Sequence, residues 1–392
     1  MTFRAGWNFL MTPGPTNIPD RVLREMARPA LEYAGPEFTE LSKGVHNDLK
    51  KLFKTSAEVF IYAANGHGAW EAALSNTLSP GDLVLVPETG QFSSSWSLMA
   101  ESLQINSLYM PGDWRTGVDP DEVEKALRED TQHKIKAVLM VHTDTATSVT
   151  SNVPTVRKAI DAAKHPALFM VDTIASLVNT EYHMDEWGVD VTISACQKGM
   201  MVAPGISFTA ANDKAREAGK ISTMPRNYWN WQTRRGDIHY TWYCGTGPIN
   251  SIFGIREALD MIFEETIEGA YKRHQRLADA VRASVSVWGL EGKFELNALL
   301  KEQQANGVTT ILIDDAINIE DLHVLCRDKF NVSLGYGLGK LNGKSFRIGH
   351  MGYVNEPMVL GALGCIEAAF QMLGYDHGKG GVQAAIESLS IS

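Results

Sequence analysis

The sequence predicts an α/β protein with two domains. The large domain is expected to hold a mostly parallel mixed sheet sandwiched by helices, and the small C-terminal domain to be α+β. Short apolar runs alternate with amphipathic stretches up to residue 211, which is typical of βαβ units. The chain has 392 residues, which exceeds the size at which a single core stops growing and so favours two domains.

Seven apolar runs of strand length mark the first part of the chain, and stretches of helical period separate many of them. Parallel strands need a crossover of a dozen or more residues, so this alternation favours a parallel sheet. The predicted strands are 57–64, 82–88, 105–110, 135–142, 167–172, 190–195 and 205–211, and the predicted helices are 68–78, 93–104, 119–130 and 153–164.

The pattern changes after residue 211. Residues 224–250 are rich in aromatic and turn-forming residues without a clear period, which indicates a functional or interface segment. The tail, 376–392, contains glycine and serine and is expected to be mobile. The predicted divisions are an N-terminal arm over 1–20, a large domain over 21–255, a linking helix over 256–294 and a small C-terminal domain over 295–392.

Composition argues against several classes of protein. The net charge of −10 and the pI of about 5.6 argue against nucleic-acid binding, which needs a basic surface. The four cysteines are far apart without a CxxC pair, so neither a disulfide framework nor a metal site is predicted. No signal-peptide pattern opens the chain, and no apolar stretch is expected to reach the length that spans a bilayer. We expect a cytoplasmic protein without membrane contact.

The stretch AANGHGAWEAAL, residues 63–74, joins a predicted strand to a predicted helix through Gly66, His67 and Gly68. Glycines let a ligand approach the backbone, and the free N–H groups of a helix N-terminus attract an anion. The pattern is neither GxGxxG nor a Walker loop, which argues against dinucleotides and nucleoside triphosphates. Both a phosphate cradle and an ordinary turn between a strand and a helix are compatible with it.

Two charged residues lie at the ends of neighbouring apolar runs. Asp172 ends the run 167–172, and Lys198 follows the run 190–195. Their separation of about one βαβ unit predicts that both lie at the carboxyl edge of the sheet, where open α/β sheets bind ligands. Asp172 could instead cap a helix, and Lys198 could extend to solvent.

A phosphate cradle, a strand-end carboxylate and a strand-end lysine together indicate pyridoxal 5′-phosphate. The lysine attaches this cofactor, and the carboxylate keeps its ring nitrogen protonated so that the ring accepts electrons. Arg347, in GKSFRIGHMG (343–352), could match a substrate carboxylate with two hydrogen bonds. A solvent-facing arginine on an edge strand would have the same sequence signature.

Nine segments spread over nearly the whole chain add a resemblance to a known family. They are PGPTNIPD (13–20), GHGAWEAALSNTLSPGD (66–82), GQFS (90–93), TATSVTSN (145–152), AIDAAKHPALFMVD (159–172), MDEWGVDV (184–191), QKGMMVAPG (197–205), GIREAL (254–259) and FRIGHMG (346–352). Together these segments resemble the class V, fold type I aminotransferases that depend on pyridoxal 5′-phosphate. Within that family they resemble the serine, alanine and aspartate–glyoxylate group.

The resemblance implies roles for the residues that would hold the cofactor. Lys198 resembles the lysine that forms the Schiff base, and Asp172 resembles the partner of the pyridinium nitrogen. Phe92 matches the aromatic residue that stacks on the ring, and Thr145 matches the hydroxyl near its O3′ atom. The phosphate-binding positions match Gly66, His67, Gly68 and Gln197.

The resemblance also implies a homodimer whose two active sites are shared across the interface. Tyr243 and Thr246 match residues that reach the cofactor phosphate from the partner subunit, and the N-terminal arm is expected to contribute to the site and the dimer. Arg347 matches the arginine that binds the substrate α-carboxylate. Further residues expected near the substrate are Pro15, Thr16, Asn17 and Tyr33.

This chain departs from its nearest resemblance at three places. DHRS becomes EYAG over 32–35, so Tyr33 and Ala34 replace a histidine and an arginine. HNETATG becomes HTDTATS, with Ser148 in place of glycine, and YTPP becomes GTGP over 245–248. The first two changes are expected near the substrate, and loss of the arginine argues against a dicarboxylic amino donor.

The activity that the resemblance implies is transamination by a ping-pong mechanism. The donor is expected to be a small amino acid such as serine or alanine, and the acceptor a 2-oxo acid, with glyoxylate first. A pyridoxamine–pyruvate aminotransferase would not need the phosphate loop, which is intact here. A lyase of the cysteine-desulfurase or kynureninase kind is the other alternative, but desulfurases usually carry histidines where this chain has Gln197 and Phe92. A non-enzymatic binding protein conflicts with the full catalytic set.

Overall fold

The computed structural model describes residues 5–391, which form two main β-sheets covered by helices. Its strands are β1 (Phe9–Met11), β2 (Glu58–Tyr62), β3 (Leu83–Pro87), β4 (Asn106–Met110), β5 (Ile135–Val141), β6 (Thr143–Asp144), β7 (Val149–Thr150), β8 (Leu168–Asp172), β9 (Val191–Ala195), β10 (Ser207–Ala211), β11 (Phe294–Leu296), β12 (Val308–Ile313), β13 (Val332–Tyr336) and β14 (Ser345–Gly349).

The helices are distributed along the whole chain, and short 3₁₀ turns occur in its C-terminal part. The α-helices are α1 (Asp20–Met26), α2 (Pro36–Phe53), α3 (Gly66–Thr77), α4 (Gln91–Ser102), α5 (Pro120–Glu129), α6 (Val153–Ala162), α7 (Asp213–Ile221), α8 (His239–Trp242), α9 (Ile249–Glu265), α10 (Ile267–Trp288), α11 (Ile319–Phe330), α12 (Glu356–Leu373) and α13 (Gly381–Ile391).

The larger sheet has seven strands in the order β2-β10-β9-β8-β5-β3-β4. Only β10 runs antiparallel to its neighbours, which confirms the predicted mostly parallel mixed sheet. In its register Asp172 lies between Val141 and Ile193. The ends of β5 and β8 and the stretch after β9 therefore meet at one edge of the sheet.

Side chains of the larger sheet alternate between two hydrophobic clusters, one on each face. In β5, Val138 and Met140 join the cluster that includes α2, α6 and α9, whereas Leu139 and Val141 join the cluster that includes α3 and α4. This period of two is what a strand buried on both faces requires. The helices on the second face carry Trp70 and Trp96, which stack with ring centroids 5.6 Å apart.

The smaller sheet has the order β1-β13-β14-β12-β11 and joins the two ends of the chain. Strand β1, from the N-terminal arm, pairs in parallel with β13, with Phe9 opposite Val332. Helices α10 and α12 pack on this sheet around a third hydrophobic cluster. The segment expected as one linking helix consists of α9 and α10, which are separated at Thr266 with a φ of +69°.

The C-terminal tail is not mobile as predicted from its composition, because residues Gly381–Ile391 form α13 against α10. The Ser284 hydroxyl donates to the Gly381 carbonyl over 2.7 Å, and Ala385 is fully buried. Gly381 lies so close to Trp288 that any side chain there would overlap its indole ring. The glycine that suggested flexibility therefore permits close packing instead.

Within residues 5–391, α12 is the one helix that is long and apolar enough to cross a membrane by length and composition. Its sequence is not an uninterrupted apolar stretch, because Glu356 begins the helix and Glu367 interrupts the apolar run. Val359, Leu363, Ile366 and Phe370 on this helix belong to the C-terminal core. A core helix passes the same test, so this finding is weak evidence for a membrane span.

Candidate active site

A cavity of about 300 Å³ lies at the edge of the larger sheet where β5 and β8 end and α3 begins. This is where open α/β sheets bind ligands, and the volume suits a small molecule. Eight of the residues predicted for the site line it: Pro15, Gly66, His67, Phe92, Thr145, Asp172, Gln197 and Lys198. The other lining residues are Gly14, Asn65, Trp70, Val141, Thr143, Ile174, Ala175 and Pro204.

Asp172 ends β8 with its carboxylate fixed by two donors. The Ile174 N–H donates to Oδ1 over 2.6 Å, and the Trp70 indole N–H donates to Oδ2 over 2.8 Å. Burial raises the pKa of Asp172 to about 7, because a lone buried carboxylate is poorly solvated. The sequence did not single out Trp70, whose only local signal is its position one turn into the helix that follows the glycines.

Lys198 follows β9 and extends into the same cavity. Burial and, to a smaller extent, the charge of Arg347 lower the pKa of its amine to about 8. The amine donates to the Pro13 carbonyl in the N-terminal arm. A Cβ atom at Gly14 would lie 2.5 Å from the Lys198 side chain, and Gly14 has a φ of +102°. The lysine therefore needs glycine at this position of the arm.

The N-terminus of α3 points its free backbone N–H groups at the cavity. Asn65 caps the helix by accepting from the Gly68 N–H over 3.4 Å, which leaves the N–H groups of Gly66 and His67 available to an anion. Burial lowers the pKa of His67, whose ring packs on Trp70 at 4.5 Å. Gln197 Oε1 is buried without a hydrogen-bond partner in the described chain.

The hairpin of β6 and β7 supports the opposite wall of the cavity. Asp144 in this hairpin accepts from the N–H of Phe92 over 2.8 Å and from the N–H of Ala146 over 2.9 Å. It thus holds the first turn of α4, and with it Phe92. Burial raises the pKa of Asp144 to about 6. Sequence analysis missed Asp144, because its contact with Phe92 spans 52 residues of the chain.

Arg347 lies in β14, behind the cavity wall. Its side chain is buried; Nη1 donates to the Thr145 carbonyl over 2.8 Å, and Nε donates to the Tyr336 carbonyl over 2.6 Å. Burial lowers the pKa of Arg347 to about 10. Within residues 5–391, Nη2 has no hydrogen-bond partner.

The other predicted residues do not line the cavity of their own chain. Thr16 donates from Oγ1 to the Lys198 carbonyl over 3.1 Å, and Asn17 holds Leu10 in β1. The Gly68 N–H donates to the side chain of Asn65, which caps α3, and Thr246 is exposed.

Two predicted aromatic residues also lie outside the cavity. Tyr33 is 45% exposed and contacts Tyr240. Tyr243 is buried, and its hydroxyl donates to Ser42 over 3.0 Å. The contribution of Tyr243 and Thr246 to a partner's site stays a prediction, as does that of Tyr33 to substrate binding.

Ser148 does not line the cavity, so its expected place near the substrate stays a prediction. It is buried between the hairpin and β12, where its hydroxyl accepts from the Thr310 N–H over 3.1 Å. Its φ of +58° explains why a glycine suits this turn. The change from glycine to serine therefore affects the packing of the β6–β7 hairpin against β12.

The sequence profile of aminotransferase class V matches residues 8–340. The chain belongs to this family. It is a transaminase of fold type I, and its cofactor is pyridoxal 5′-phosphate.

Several curated relatives match almost the full chain. A serine–glyoxylate aminotransferase of Methylorubrum extorquens is 41% identical, covering 92% of this chain and 90% of that protein. One from Arabidopsis thaliana is 39% identical over 98% of this chain and 95% of that protein. An L-aspartate–glyoxylate aminotransferase of Paracoccus denitrificans is 35% identical over 97% of this chain and 96% of that protein.

Solved structures also match the whole chain. The ureidoglycine–glyoxylate aminotransferase of Bacillus subtilis superposes with a TM-score of 0.90 at 25% identity, covering 100% of both chains. The pyridoxamine–pyruvate aminotransferase of Mesorhizobium loti gives a TM-score of 0.89 at 23% identity, covering 99% of this chain and 98% of that chain, which shows the fold alone.

The residues around the cavity fit this cofactor. The amine of Lys198, the buried carboxylate of Asp172 and the aromatic ring of Phe92 match the aldehyde, the ring nitrogen and the ring of the cofactor, respectively. The helix N-terminus and the unpaired Gln197 Oε1 lie among the same lining residues. Among residues 5–391, no group of three or more histidine, cysteine or acidic side chains could hold a metal ion.

Proposed function

We propose that this chain transfers the amino group of a small monocarboxylic amino acid, serine or alanine, to glyoxylate by a ping-pong reaction. The observation that carries the proposal is that Lys198, Asp172 and the N-terminus of α3 meet at one cavity. Relatives named for serine and glyoxylate, 39–41% identical over nearly the full chain, support the substrates. Ala34 stands where the related glyoxylate enzymes carry an arginine, which supports a donor without a second carboxylate.

Lys198 is proposed as the catalytic amine. When bound, pyridoxal 5′-phosphate supplies an aldehyde that joins amines and a protonated ring that accepts electrons. Lys198 Nζ would hold that aldehyde at rest. Once the donor amine has displaced it, Nζ would take the proton from the donor Cα and deliver it to the carbon that carried the aldehyde, which leaves the donor as a 2-oxo acid. A pKa of about 8 lets this amine act as a base near neutral pH.

Asp172 is proposed to bind the protonated ring nitrogen. In the chain alone, burial disfavours its charge, so a cation beside it lowers the pKa of the carboxyl and stabilises the ionised form. Trp70 and Ile174 keep both carboxylate oxygens in place through their N–H groups. Phe92 would stack on the ring, and the Thr145 hydroxyl would bind its O3′ atom.

The remaining proposed contacts bind the phosphate and the substrate. The N–H groups of Gly66 and His67, together with Gly68 and Gln197, would hold the phosphate. Arg347, with Nη2 free, would bind the substrate α-carboxylate through its guanidinium. Pro15, Thr16 and Asn17 would shape the arm that covers the substrate.

We also propose that the enzyme acts as a cytoplasmic homodimer, in which Tyr243 and Thr246 reach the cofactor phosphate of the partner subunit and Tyr33 lies near the substrate. Exposed apolar side chains support the interface: Tyr33 is 45% exposed, Ile238 68% and Tyr240 47%. The free state of all four cysteines supports a reducing compartment. The N-terminal arm and the domain divisions at 20, 255 and 294 remain part of this proposal.

The test follows the visible absorbance of the holoenzyme while serine, alanine or aspartate is added alone. A true donor should shift the band of the lysine-bound cofactor to that of its amine form, and glyoxylate should restore it better than pyruvate. Release of ammonia or sulfide without that shift would favour the lyase alternative. If free pyridoxamine is the one donor that changes the absorbance, and pyruvate then restores the original band, the pyridoxamine–pyruvate alternative is favoured.

The dimer has a separate test by light scattering and subunit mixing. A mass of twice the chain is expected. Mixing inactive Lys198→Ala and Thr246→Ala subunits should restore part of the activity, because one site of each mixed dimer would then be intact. A monomeric, fully active enzyme would contradict the shared site.

A further inference from the structure

The backbone that carries Lys198 is held by parts of the chain far away in sequence. Thr16 donates from its N–H to the Gln197 carbonyl over 3.2 Å and from Oγ1 to the Lys198 carbonyl over 3.1 Å. Gly352, which follows β14, packs against the same carbonyl. A Cβ atom at Gly352 would lie 3.1 Å from the Lys198 oxygen, and its φ is +74°. The position of Lys198 therefore depends on the position of Gly352.

Both backbone polar groups of Gly352 are bonded to α10. Its N–H donates to Nε2 of His274 over 2.9 Å, and its carbonyl accepts from Nη1 of Arg273 over 2.9 Å. Arg273 is held in turn by an ion pair with Glu265 at 2.6 Å. A helix outside the cavity thus fixes the loop that packs on Lys198.

The two hydrogen bonds of His274 fix its tautomer. Nδ1 lies 2.7 Å from the Ala270 carbonyl, which can only accept, so Nδ1 carries the proton and Nε2 is the acceptor for Gly352. The side chain is fully buried. Burial and the adjacent charge of Arg273 lower the pKa of His274 well below its usual value. The acceptor therefore persists at any pH at which the enzyme works.

We propose that His274 is a positioning residue for Lys198. It holds Gly352 against the Lys198 carbonyl and so sets the direction in which the amine enters the cavity. The proposal rests on the role proposed for Lys198 and adds a residue that does not line the cavity. A displacement of about 1 Å at a reacting group can cost up to about 100-fold in rate, so such support has a measurable effect.

The test compares two holoenzyme variants of this residue. His274→Leu removes the acceptor, whereas His274→Gln keeps a carbonyl oxygen that can accept the Gly352 N–H. His377→Gln is the matched control, because His377 is also buried in the C-terminal domain but packs on Phe370. For each enzyme, the absorbance of the Lys198-bound cofactor is titrated with pH, kcat and KM are measured with the donor, and thermal unfolding is recorded.

We expect His274→Leu to shift the apparent pKa of the absorbance change by more than about half a unit. Its kcat should fall about 10- to 100-fold, with KM changed less than about threefold. His274→Gln and His377→Gln should stay near the wild type. If His274→Leu lowers only thermal stability, or if the three variants behave alike, the proposal is wrong.

A second variant tests the same backbone if His274→Leu does not fold. In Gly352→Ala the added Cβ atom would crowd the Lys198 carbonyl directly. This variant should also shift the apparent pKa of the absorbance change. An unchanged absorbance pKa and an unchanged kcat in this variant would overturn the proposal. A wild-type enzyme without any donor-dependent absorbance change would instead refute the role of Lys198, which keeps the two failures distinct.

Discussion

Two regions of the molecule bury a cationic side chain, and the groups that surround the charge differ between them. At the sheet edge, Lys198 faces a cavity that it shares with Asp172, and burial lowers the pKa of its amine to about 8. In the aromatic segment, residues 224–250, Arg234 is 3% exposed. Its guanidinium donates to the carbonyls of Tyr228, Ile61 and Trp242, at 2.8, 2.9 and 3.0 Å respectively.

The comparison shows what separates a reactive cation from a structural one. Arg234 also lies between the rings of Tyr62 and Tyr228, at 4.8 and 4.6 Å, so its charge is compensated by carbonyls and aromatic faces. Lys198 has less compensation, and its amine can lose its proton. Arginine cannot do so in a protein, which suits it to support and not to proton transfer.

The largest expected effect is at the reactive cation. Lys198→Ala should lower transamination by roughly 10⁴-fold or more, because Lys198 supplies the one amine among the described residues that line the cavity. Lys220→Ala is the matched control, since Lys220 lies on the surface in an ion pair with Glu217. Single-turnover absorbance with serine measures both. Substantial turnover by Lys198→Ala would place the catalytic amine elsewhere.

Asp172→Asn should have the next largest effect, lowering kcat about 10²- to 10³-fold by removing the charge proposed to face the ring nitrogen. The variant also gives a pH signature in the cofactor-free protein. Because burial raises the pKa of Asp172 to about 7, the folded chain holds a proton that the unfolded chain releases above about pH 4. That stabilisation is present below the unfolded pKa and is lost as the pH rises through 7.

Urea unfolding of the cofactor-free proteins checks this sign. Between pH 4 and pH 8, the free energy of unfolding of Asp172→Asn should rise relative to that of the wild type by on the order of a few kcal/mol. Trp70→Phe keeps the carboxylate and removes one donor, so its free energy of unfolding should not rise relative to the wild type over this range. A constant difference across the pH range would mean that Asp172 titrates normally.

At the structural cation, Arg234→Met should reduce the free energy of unfolding by about 2–4 kcal/mol, since three carbonyls lose their donor. Arg235→Ala is the neighbouring control. Arg235 is 48% exposed and paired with Glu58, so its loss should cost less than about 1 kcal/mol. Equal losses in the two variants, measured by urea unfolding, would remove the distinction drawn here.

The smallest effect is expected at Ser148, next to the cavity but outside it. Ser148→Ala loses the bond to the Thr310 N–H and keeps the left-handed backbone, at a cost of about 1–2 kcal/mol. Ser148→Gly loses the same bond, but glycine adopts the positive φ without strain. Its free energy of unfolding should therefore differ from that of the wild type by less than about 1 kcal/mol. Urea unfolding that ranks glycine below alanine would contradict this account, and donor preference should not change in either variant.

The same comparison explains what could be predicted from sequence. Asp172 and Lys198 follow buried strands, and the regular geometry of a parallel sheet brings strand ends together, so their meeting was predictable. Asp144 and Trp70 depend on partners that no local pattern reveals. The aromatic segment has no period at all, and its contacts with α3 and β2 come from distant side chains such as Asn76, which bonds to Trp229 over 2.7 Å.

The pairing of β1 with β13 has a consequence for the synthesis of this enzyme. Phe9 pairs with Val332, so the arm that bears Gly14 and Pro15 leaves the ribosome more than 300 residues before its partner strand. At about 5–20 residues per second, this first strand waits from about 15 seconds to a minute with its edge unpaired. The arm that lines the pocket with Gly14 and Pro15 therefore gains its partner strand only after every described residue that lines the pocket has been made.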